Sequence, residues 1–401
     1  MRVKFNRQKI IAFTIAYMVS FLGLLNGINA ITNSMGFNTT MDTLVLYVIM
    51  WIMAIFVWVN AMTKSYFKMD VFWITLTLTI MLICTLLFFP QNTKYILSSA
   101  YTFSDNPVLI LFVYAFTGYI AIRCLDKYQY LIQYLRVFSY VIVIISTIVF
   151  LEIKDSFANQ YMTLSYNMLL QVCFLLEFPP SKKKWLNYII VGVGMFIIIV
   201  GGARGAMMGL LTAIVLKMLG NQSRFISFKK VVISFFSVGI LGYVLSHYEQ
   251  LIIGIYKFTT RNGLTSRTLD LMLYSTEDIS SGRFEMFSEI FEQINLVGYG
   301  LYGDRVVLGE NYAHNLFLEW IVEFGLILGG LLVFVYIMLL ALGLKKSNGV
   351  SKRLMLIFIP NGLIALMFSG SYLGQQPAFY ILLGLCVNSI LACKNKGNLE
   401  L

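Results

Sequence analysis

Charged residues are scarce in this chain, and their scarcity decides its class. Only 12% of the 401 residues are Asp, Glu, Lys or Arg, whereas 59% are hydrophobic. A soluble domain carries about 25% charged residues, so this chain cannot cover a water-soluble globule with polar surface. We therefore predict an integral membrane protein.

Cysteine-based and nucleotide-binding motifs are also missing. The five cysteines lie in or beside apolar runs and form no CxxC pair, which argues against a disulfide framework or a zinc site. The chain has no Walker, HExxH or GxSxG sequence and no metal-spaced carboxylate cluster. Gly298 to Gly303 satisfies G-x-G-x-x-G, but an amphipathic segment precedes it and a polar loop follows, so we interpret it as a turn-forming loop. Neither a cofactor nor a metal is predicted.

Long apolar runs account for most of the chain. A spanning helix needs about 20 mostly apolar residues, and twelve runs approach that length. We predict an all-α polytopic membrane protein with about 12 transmembrane helices and one large outer loop that contains short amphipathic helices. The runs cover residues 10–31, 41–63, 70–89, 106–124, 137–152, 160–178, 186–201, 204–219, 230–247, 314–341, 354–371 and 375–393.

The positions of Lys and Arg predict the orientation of these helices. Cytoplasmic loops of membrane proteins are rich in both residues. If both termini are inside, 22 of the 30 Lys and Arg residues lie on the inner side, in segments such as 182–184 and 345–353. Topology then accounts for most of the net charge of +11, and no nucleic acid has to be invoked as a partner.

One long polar segment, residues 248–313, interrupts the apolar runs on the predicted outer side. It contains nine of the nineteen acidic residues. Long loops on compact scaffolds are usually functional or disordered, and the composition of this one does not indicate disorder. We divide the chain into helices 1–9 (residues 1–247), an extracytoplasmic loop (248–313), and helices 10–12 with a cytoplasmic tail (314–401).

Two arginines occupy positions where a positive charge is costly. Arg204 lies in the Gly- and Ala-rich turn 201–206 between two apolar runs, near the outer membrane boundary, where an arginine needs a partner or water. At about 100° per residue, Arg283 falls on the apolar face of an amphipathic segment, 281–294, whose other face is acidic. Both are candidates for binding an anion. The alternatives are an interfacial Arg204 that extends to water and a first-turn Arg283 frayed towards water.

The chain re-enters the membrane through the segment 311–315. Its His314 is one of only two histidines, and the other, His247, flanks the opposite end of the same loop. A neutral imidazole at this position is suited to accept a proton. Glu319 and Glu323, one helical turn apart, need partners inside the membrane, and outer-side arginines are the first candidates. The alternative is a His314 that only begins a helix and two glutamates that hold helices together.

Together these features resemble the O-antigen polymerase and O-antigen ligase family of bacterial membrane glycosyltransferases. The matching pieces are Gly-Ala-Arg204-Gly-Ala between helices, Ser-Gly-Arg283 in the outer loop, and Tyr-Ala-His314-Asn-x-Phe-x-Glu319 at the helix entry. The resemblance implies catalytic roles for His314, Arg283 and Arg204. Their substrate is then a sugar chain linked to undecaprenyl pyrophosphate.

The resemblance also implies further site residues and partners. Arg267, Glu319, Asn315 and Tyr312 are the expected substrate-binding residues, and Tyr299 and Tyr302 join Tyr312 as candidates to stack on sugar rings. The expected reaction is a metal-independent, inverting transfer at the outer face of the bacterial cytoplasmic membrane, with both termini cytoplasmic. Membrane lipid, a flippase and a chain-length regulator are the expected partners.

Three activities compete at this point. The first, which we favour, is polymerisation of lipid-linked repeat units into O-antigen, capsule or exopolysaccharide. The second is ligation of the glycan to lipid A core. It is favoured by the arrangement of His314, Asn315 and Gly325, which is similar to that of the ligases, with ten residues between His314 and Gly325. The third is a lipid-linked oligosaccharide flippase or transporter, which predicts polar residues on both sides of a central cavity, whereas the unexplained polar residues here cluster on the outer side.

The predicted orientation can be tested with single cysteines and a membrane-impermeant thiol reagent in intact cells. Lys183→Cys and Asn348→Cys should be protected because both positions are predicted to be cytoplasmic, whereas Asp278→Cys should react. The parent protein supplies the background from its own cysteines. Reaction at 183 and 348 with protection at 278 would reverse the orientation.

Overall fold

The computed structural model describes residues 6–36, 39–63, 68–97, 106–152, 158–220, 283–309, 311–374 and 376–397, together with 253–254, 256–257 and 260–261. These residues are 84% helical and contain no strand, which confirms the predicted all-α class. The ninth predicted run, 230–247, and most of the outer loop lie outside the described residues, as do His247 and Arg267.

Eleven of the twelve predicted runs coincide with helices of the described residues. The largest shift in a boundary is at the fifth run, whose helix begins at Tyr128, nine residues before the predicted start at 137. The helices of five residues or more are α1 Arg7–Ser34, α2 Thr40–Ala61, α3 Met69–Phe88, α4 Pro107–Arg123, α5 Tyr128–Glu152, α6 Ala158–Glu177, α7 Lys184–Val200, α8 Arg204–Gly220, α9 Arg283–Gln293, α10 Gly303–Val307, α11 Leu316–Lys346, α12 Gly349–Met367 and α13 Pro377–Gly397.

The lengths of these helices identify an integral membrane protein. Six of the helices in the described ranges are long and apolar enough to cross a bilayer, namely α1, α2, α3, α5, α11 and α12. Three shorter apolar helices, α4, α7 and α13, accompany them. The chain is therefore a multi-pass membrane protein, whereas the count of twelve spans remains a prediction.

Burial separates a central helix from a peripheral one. In an apolar stretch of 18 residues of α1, 72% of the residues are buried, whereas in a stretch of the same length in α3 only 11% are buried. A side chain at Gly27 of α1 would place its Cβ 2.3 Å from Ile145 of α5, so glycine permits the close contact of these two helices. Trp73 and Phe88 of α3 are exposed, as expected for side chains that face lipid.

A polar cluster attaches α3 to the bundle. Arg123 at the end of α4 binds Asp70 at the start of α3 through both carboxylate oxygens, with Nε–Oδ2 and Nη2–Oδ1 distances of 2.7 Å. The Tyr119 hydroxyl donates to the same carboxylate at 2.5 Å, and Arg123 donates further to Asn388 of α13. Such two-point pairing fixes orientation as well as distance, so α3, α4 and α13 are joined at one end.

Two helices contain a wider turn. Ile110–Ala115 in α4 and Pro360–Ile364 in α12 are π-helical, and α12 then tightens into a 3-10 turn at Ala365–Met367. Proline removes a hydrogen-bond donor and crowds the preceding turn of a helix, which accounts for the irregularity at Pro360. Short π turns inside α-helices occur frequently at functional sites.

Candidate functional site

The segment that precedes α11 holds His314 in a defined position. Asn315 caps α11, because its side-chain oxygen accepts hydrogen bonds from the N–H groups of Phe317 at 3.0 Å and Leu318 at 3.2 Å. His314 has a positive φ of 50°, a conformation that histidine adopts more readily than most residues. Its half-buried imidazole lies against the ring of Tyr312, with 3.8 Å between the ring centroids and an angle of 39° between the ring planes.

Tyr312 connects this segment to the turn between α12 and α13. Its hydroxyl accepts a hydrogen bond from the N–H of Gly370 at 3.3 Å. His314 therefore lies against a tyrosine that is itself held by the 368–376 turn. We call the end of the bundle that carries residues 298–315 and 368–376 the loop end.

Glu319 and Glu323 are buried at the loop end, with exposed fractions of 2% and 1%. Glu319 accepts a hydrogen bond from the Ser371 hydroxyl. Glu323 accepts one from the Tyr372 hydroxyl at 2.6 Å and one from the N–H of Tyr302 at 2.7 Å. The donors found for both glutamates among the described residues are hydroxyl groups and a backbone N–H. Arg267 and the side chain of Arg283 lie outside the described residues, so the predicted pairing with arginines stays a prediction.

The Gly-x-Gly segment is a turn that packs against α11, in agreement with its interpretation from sequence. The N–H of Tyr299 donates to the Val322 carbonyl at 3.0 Å, and the N–H of Gly300 donates to the Glu323 carbonyl at 2.8 Å. These carbonyls are available because Gly325, with φ 76° and ψ 171°, interrupts α11. A Cβ at Gly298 would lie 2.3 Å from the Gly325 nitrogen, so this contact requires glycine.

Tyr302, at the end of that turn, cannot stack on a sugar as expected. It is only 5% exposed, and the Arg305 guanidinium covers its ring at 4.5 Å from the centroid. The Tyr95 hydroxyl donates to the Arg305 carbonyl at 3.1 Å. Tyr302 and Arg305 therefore stabilise the turn.

Asp304 closes the loop that leads to His314. One carboxylate oxygen accepts the N–H of Ala313 at 2.9 Å and the other accepts the N–H of Arg305 at 2.9 Å. Burial raises the pKa of Asp304 above its ordinary value, and these hydrogen bonds and the charge of Arg305 lower it in part. Sequence reasoning did not single out Asp304, although a lone acid directly after the Gly-x-Gly turn was a usable signal.

The helix predicted inside the outer loop is present as α9. Glu285, Glu289 and Glu292 are exposed and Ile290 is fully buried, which confirms its two faces. Phe291 departs from the prediction, since it is 61% exposed.

The buried face of α9 packs on the loop end. Ile290 clusters with Leu308, Ala313 and Val322, so α9 packs against the residues around His314. Arg283 is the first residue of this helix, about 10 Å from Ile290 at 1.5 Å per residue.

Arg204 begins α8 directly after the turn at Gly201 and Gly202, and it is half-buried. A Cβ at the next residue, Gly205, would lie 2.2 Å from the Tyr166 hydroxyl and 2.7 Å from Cβ of Phe368. The backbone at Arg204 therefore approaches α6 and the 368–376 turn closely. This contact places Arg204 at the loop end.

A cavity of about 300 Å³ lies between these elements. Tyr312, which lies against His314, forms part of its wall, and so does Tyr166, which lies close to Gly205 beside Arg204. Both π turns also contribute a residue, Tyr114 and Asn361. The polar side chains in the wall are Asn26, Tyr114, Thr163, Tyr166, Asn167, Tyr312, Asn361, Ser369 and Gln376.

Sequence reasoning missed the amides of this cavity. Asn26, Asn167 and Asn361 stand inside apolar runs, where an unexplained polar residue is by default a functional candidate. That signal was available, but only the fold shows that these residues meet Gln376 at one place.

Residues 189–335 match the family model described as O-antigen ligase, a range that contains Arg204, Arg283 and His314. The match confirms the resemblance to the O-antigen polymerase and ligase family. It supports membrane glycan transfer by a glycosyltransferase-like enzyme that acts on lipid-linked oligosaccharides. No curated protein and no solved structure matches the chain.

Removal of the Glu323 carboxylate should destabilise the loop end. Glu323→Ala leaves the buried Tyr302 N–H and Tyr372 O–H without their acceptor, at a cost of about 1–3 kcal/mol for each donor. Thermal unfolding of the purified protein in detergent should show a clearly lower Tm. Glu292→Ala, at an exposed position of α9, is the control and should change the stability by less than about 0.5 kcal/mol. Equal Tm values for the two variants would show that Glu323 does not hold these segments together.

Proposed function

We propose that this chain polymerises undecaprenyl-pyrophosphate-linked oligosaccharide repeat units into a surface polysaccharide at the outer face of the cytoplasmic membrane. The observation that supports this function is the cavity whose wall includes Tyr312, beside His314, and Tyr166, beside the Arg204 turn. A flippase would deliver the repeat units to this face, and a chain-length regulator would limit the product.

The proposed reaction is a direct displacement. A hydroxyl of the acceptor sugar attacks the anomeric carbon of the donor sugar while the imidazole of His314 accepts the hydroxyl proton. The bond between that carbon and the pyrophosphate oxygen breaks, and undecaprenyl pyrophosphate leaves with the electron pair. Attack opposite to the leaving group inverts the anomeric centre. No metal ion is part of the proposed reaction.

Arginines suit the leaving group because a planar guanidinium binds phosphate oxygens through two parallel hydrogen bonds. We assign Arg204 and Arg283 to the pyrophosphate, and Arg267 is a further candidate. The packing of Ile290 near Ala313 supports this role for Arg283, because it brings α9 to the segment that carries His314.

The other proposed site residues differ in whether they contact the sugar or hold another residue in place. Tyr312 lines the cavity and is the proposed direct sugar contact. Asn315 acts through its cap, which fixes the start of α11 behind His314. Glu319 acts through Ser371, to which it is hydrogen-bonded. Asn315 and Glu319 are thus positioning residues in this proposal.

Ligation to lipid A core is the second candidate function. The family model that matches is described as O-antigen ligase, and the spacing from His314 to Gly325 also favours it. The structure offers a structural reason for a glycine at this position, because Gly325 interrupts α11 where the Gly-x-Gly turn packs against it. The spacing therefore does not decide between the two activities.

The acceptor distinguishes these functions in a reconstituted system. Purified protein in liposomes should convert lipid-linked repeat units alone into a ladder of longer lipid-linked glycans on a gel, because a polymerase uses a second repeat unit as acceptor. Heat-inactivated protein is the control. A product that forms only after addition of lipid A core would identify a ligase, and no product with either acceptor would exclude both functions.

His314→Ala should slow transfer by about 10²- to 10⁴-fold, the usual contribution of a general acid–base group. Single repeat units should accumulate in cells while the membrane level of the protein stays normal. His247→Ala, at the other end of the same loop, is the matched control and should have a much smaller effect. Small and equal effects of the two substitutions would show that His314 only begins α11. Severe and equal effects at normal protein levels would contradict the assignment of His314 as the base.

A further inference from the structure

The described residues that line the cavity at the loop end are uncharged. Among the described residues that line it, none is Lys, Arg, His, Asp or Glu. Its polar groups are hydroxyls and four side-chain amides, those of Asn26, Asn167, Asn361 and Gln376. An amide presents both a donor and an acceptor, and so does a hydroxyl. The wall therefore matches a ligand that also carries both kinds of group.

One of these amides has a buried hydrogen-bond donor with no partner among the described residues. The Nδ2 group of Asn167 is buried and has no hydrogen-bond partner within the described part of the chain. Buried polar groups are normally hydrogen-bonded, and an unpaired one is costly. Asn361, in contrast, donates to the Ile357 carbonyl at 3.0 Å. The cavity thus offers a buried donor from α6.

We propose that this cavity binds one uncharged sugar residue of the lipid-linked glycan, an inference that rests on the proposed function and names the part of the substrate bound there. A sugar ring carries several hydroxyl groups that pair with amides, and its apolar face packs on aromatic rings such as those of Tyr114 and Tyr312. The volume of about 300 Å³ is at the lower end for small-molecule sites. It suits a single sugar residue.

Other parts of the substrate fit this wall poorly. A pyrophosphate or a sugar carboxylate needs a positive partner when it is removed from water, and the described lining supplies none. A prenyl chain would leave the amides without hydrogen bonds. The charged groups of the substrate therefore bind outside the cavity, near Arg204, while the sugar lies inside.

This arrangement makes the cavity a specificity element. Tyr312 lies against His314, so a sugar held by the cavity presents its reacting atoms beside the proposed base. A site built from hydrogen-bonding groups strongly rejects ligands that leave those groups unpaired. The protein should therefore accept repeat units with a neutral residue at this position and reject those with a uronic acid there.

Sugar binding can be measured without any transfer reaction. Purified protein in lipid nanodiscs is mixed with methyl glycosides of glucose, galactose or N-acetylglucosamine, or with methyl glucuronide, and saturation-transfer NMR reports contact. At about 10 mM, a ligand with a Kd of about 1 mM occupies most sites. At least one neutral glycoside should give a signal with the parent protein, and methyl glucuronide should give none.

Variants locate the binding site. Asn167→Leu and Gln376→Leu should weaken binding of the neutral glycoside by at least about 10-fold, since each removes a polar partner. Asn167→Gln keeps an amide with its donor and its acceptor and should retain measurable binding, and an unchanged Tm would show that the fold is intact. Gln129→Leu, at an exposed position near the opposite end of the bundle, is the matched control and should bind like the parent.

The outcomes separate this inference from the proposed function. Absence of any neutral signal with the parent protein, equal binding of methyl glucuronide, or unchanged binding in both leucine variants would overturn the cavity assignment, whatever the protein transfers. Loss of sugar binding in the leucine variants, together with no transfer in liposomes, would uphold the sugar site and refute the transferase. Equal loss of binding in Asn167→Gln and Asn167→Leu would show that the amide of Asn167 does not hold the sugar and would overturn the inference.

Discussion

The carboxylate of Glu323 imposes the constraint on which the loop end depends. A carboxylate buried in a membrane protein must be hydrogen-bonded, and its donors here come from two other segments, through Tyr302 and Tyr372. The Gly-x-Gly turn, α11 and the 368–376 turn therefore cannot separate without leaving buried polar groups unpaired. His314 and Tyr312 lie within this connected unit, so their positions follow from contacts that do not involve a substrate.

Close backbone contact supplies the second condition for this arrangement. The Gly-x-Gly turn reaches α11 only because Gly298 and Gly325 have no side chains, since a Cβ on either would lie within 2.3 Å of the other segment. The turn at Arg204 repeats this solution, with Gly205 against Tyr166 and Phe368. In both places glycine allows the close approach of two segments. At the second, the neighbouring Arg204 carries the proposed chemistry. Replacing any of these glycines, even by alanine, should therefore disturb the packing of the two segments.

Periodicity and charge predicted the helices, the two faces of α9 and the gathering of polar residues at one end of the bundle. The partners of Glu319 and Glu323 could not be predicted in the same way. Their charge pointed to arginines, whereas the donors found among the described residues are hydroxyl groups and a backbone N–H. The cavity was also invisible, because it depends on amides from α1, α6, α12 and the start of α13 that meet only in the folded chain.

The wide turn of α12 makes the cavity sensitive to chain length. Successive residues of an α-helix differ by about 100° around the axis, and a π turn accommodates one residue more than an α turn does. Deletion of one residue from Pro360–Ile364 would therefore restore regular winding and leave the two halves of α12 in nearly the same phase. The widening of the turn would be lost, and with it the place of Asn361 in the cavity wall. Gly362 would also lose its close contact with Ala378, where a Cβ would have only 2.7 Å. An indel that a surface loop absorbs as a change of length would act here as a local change in the shape of the cavity wall.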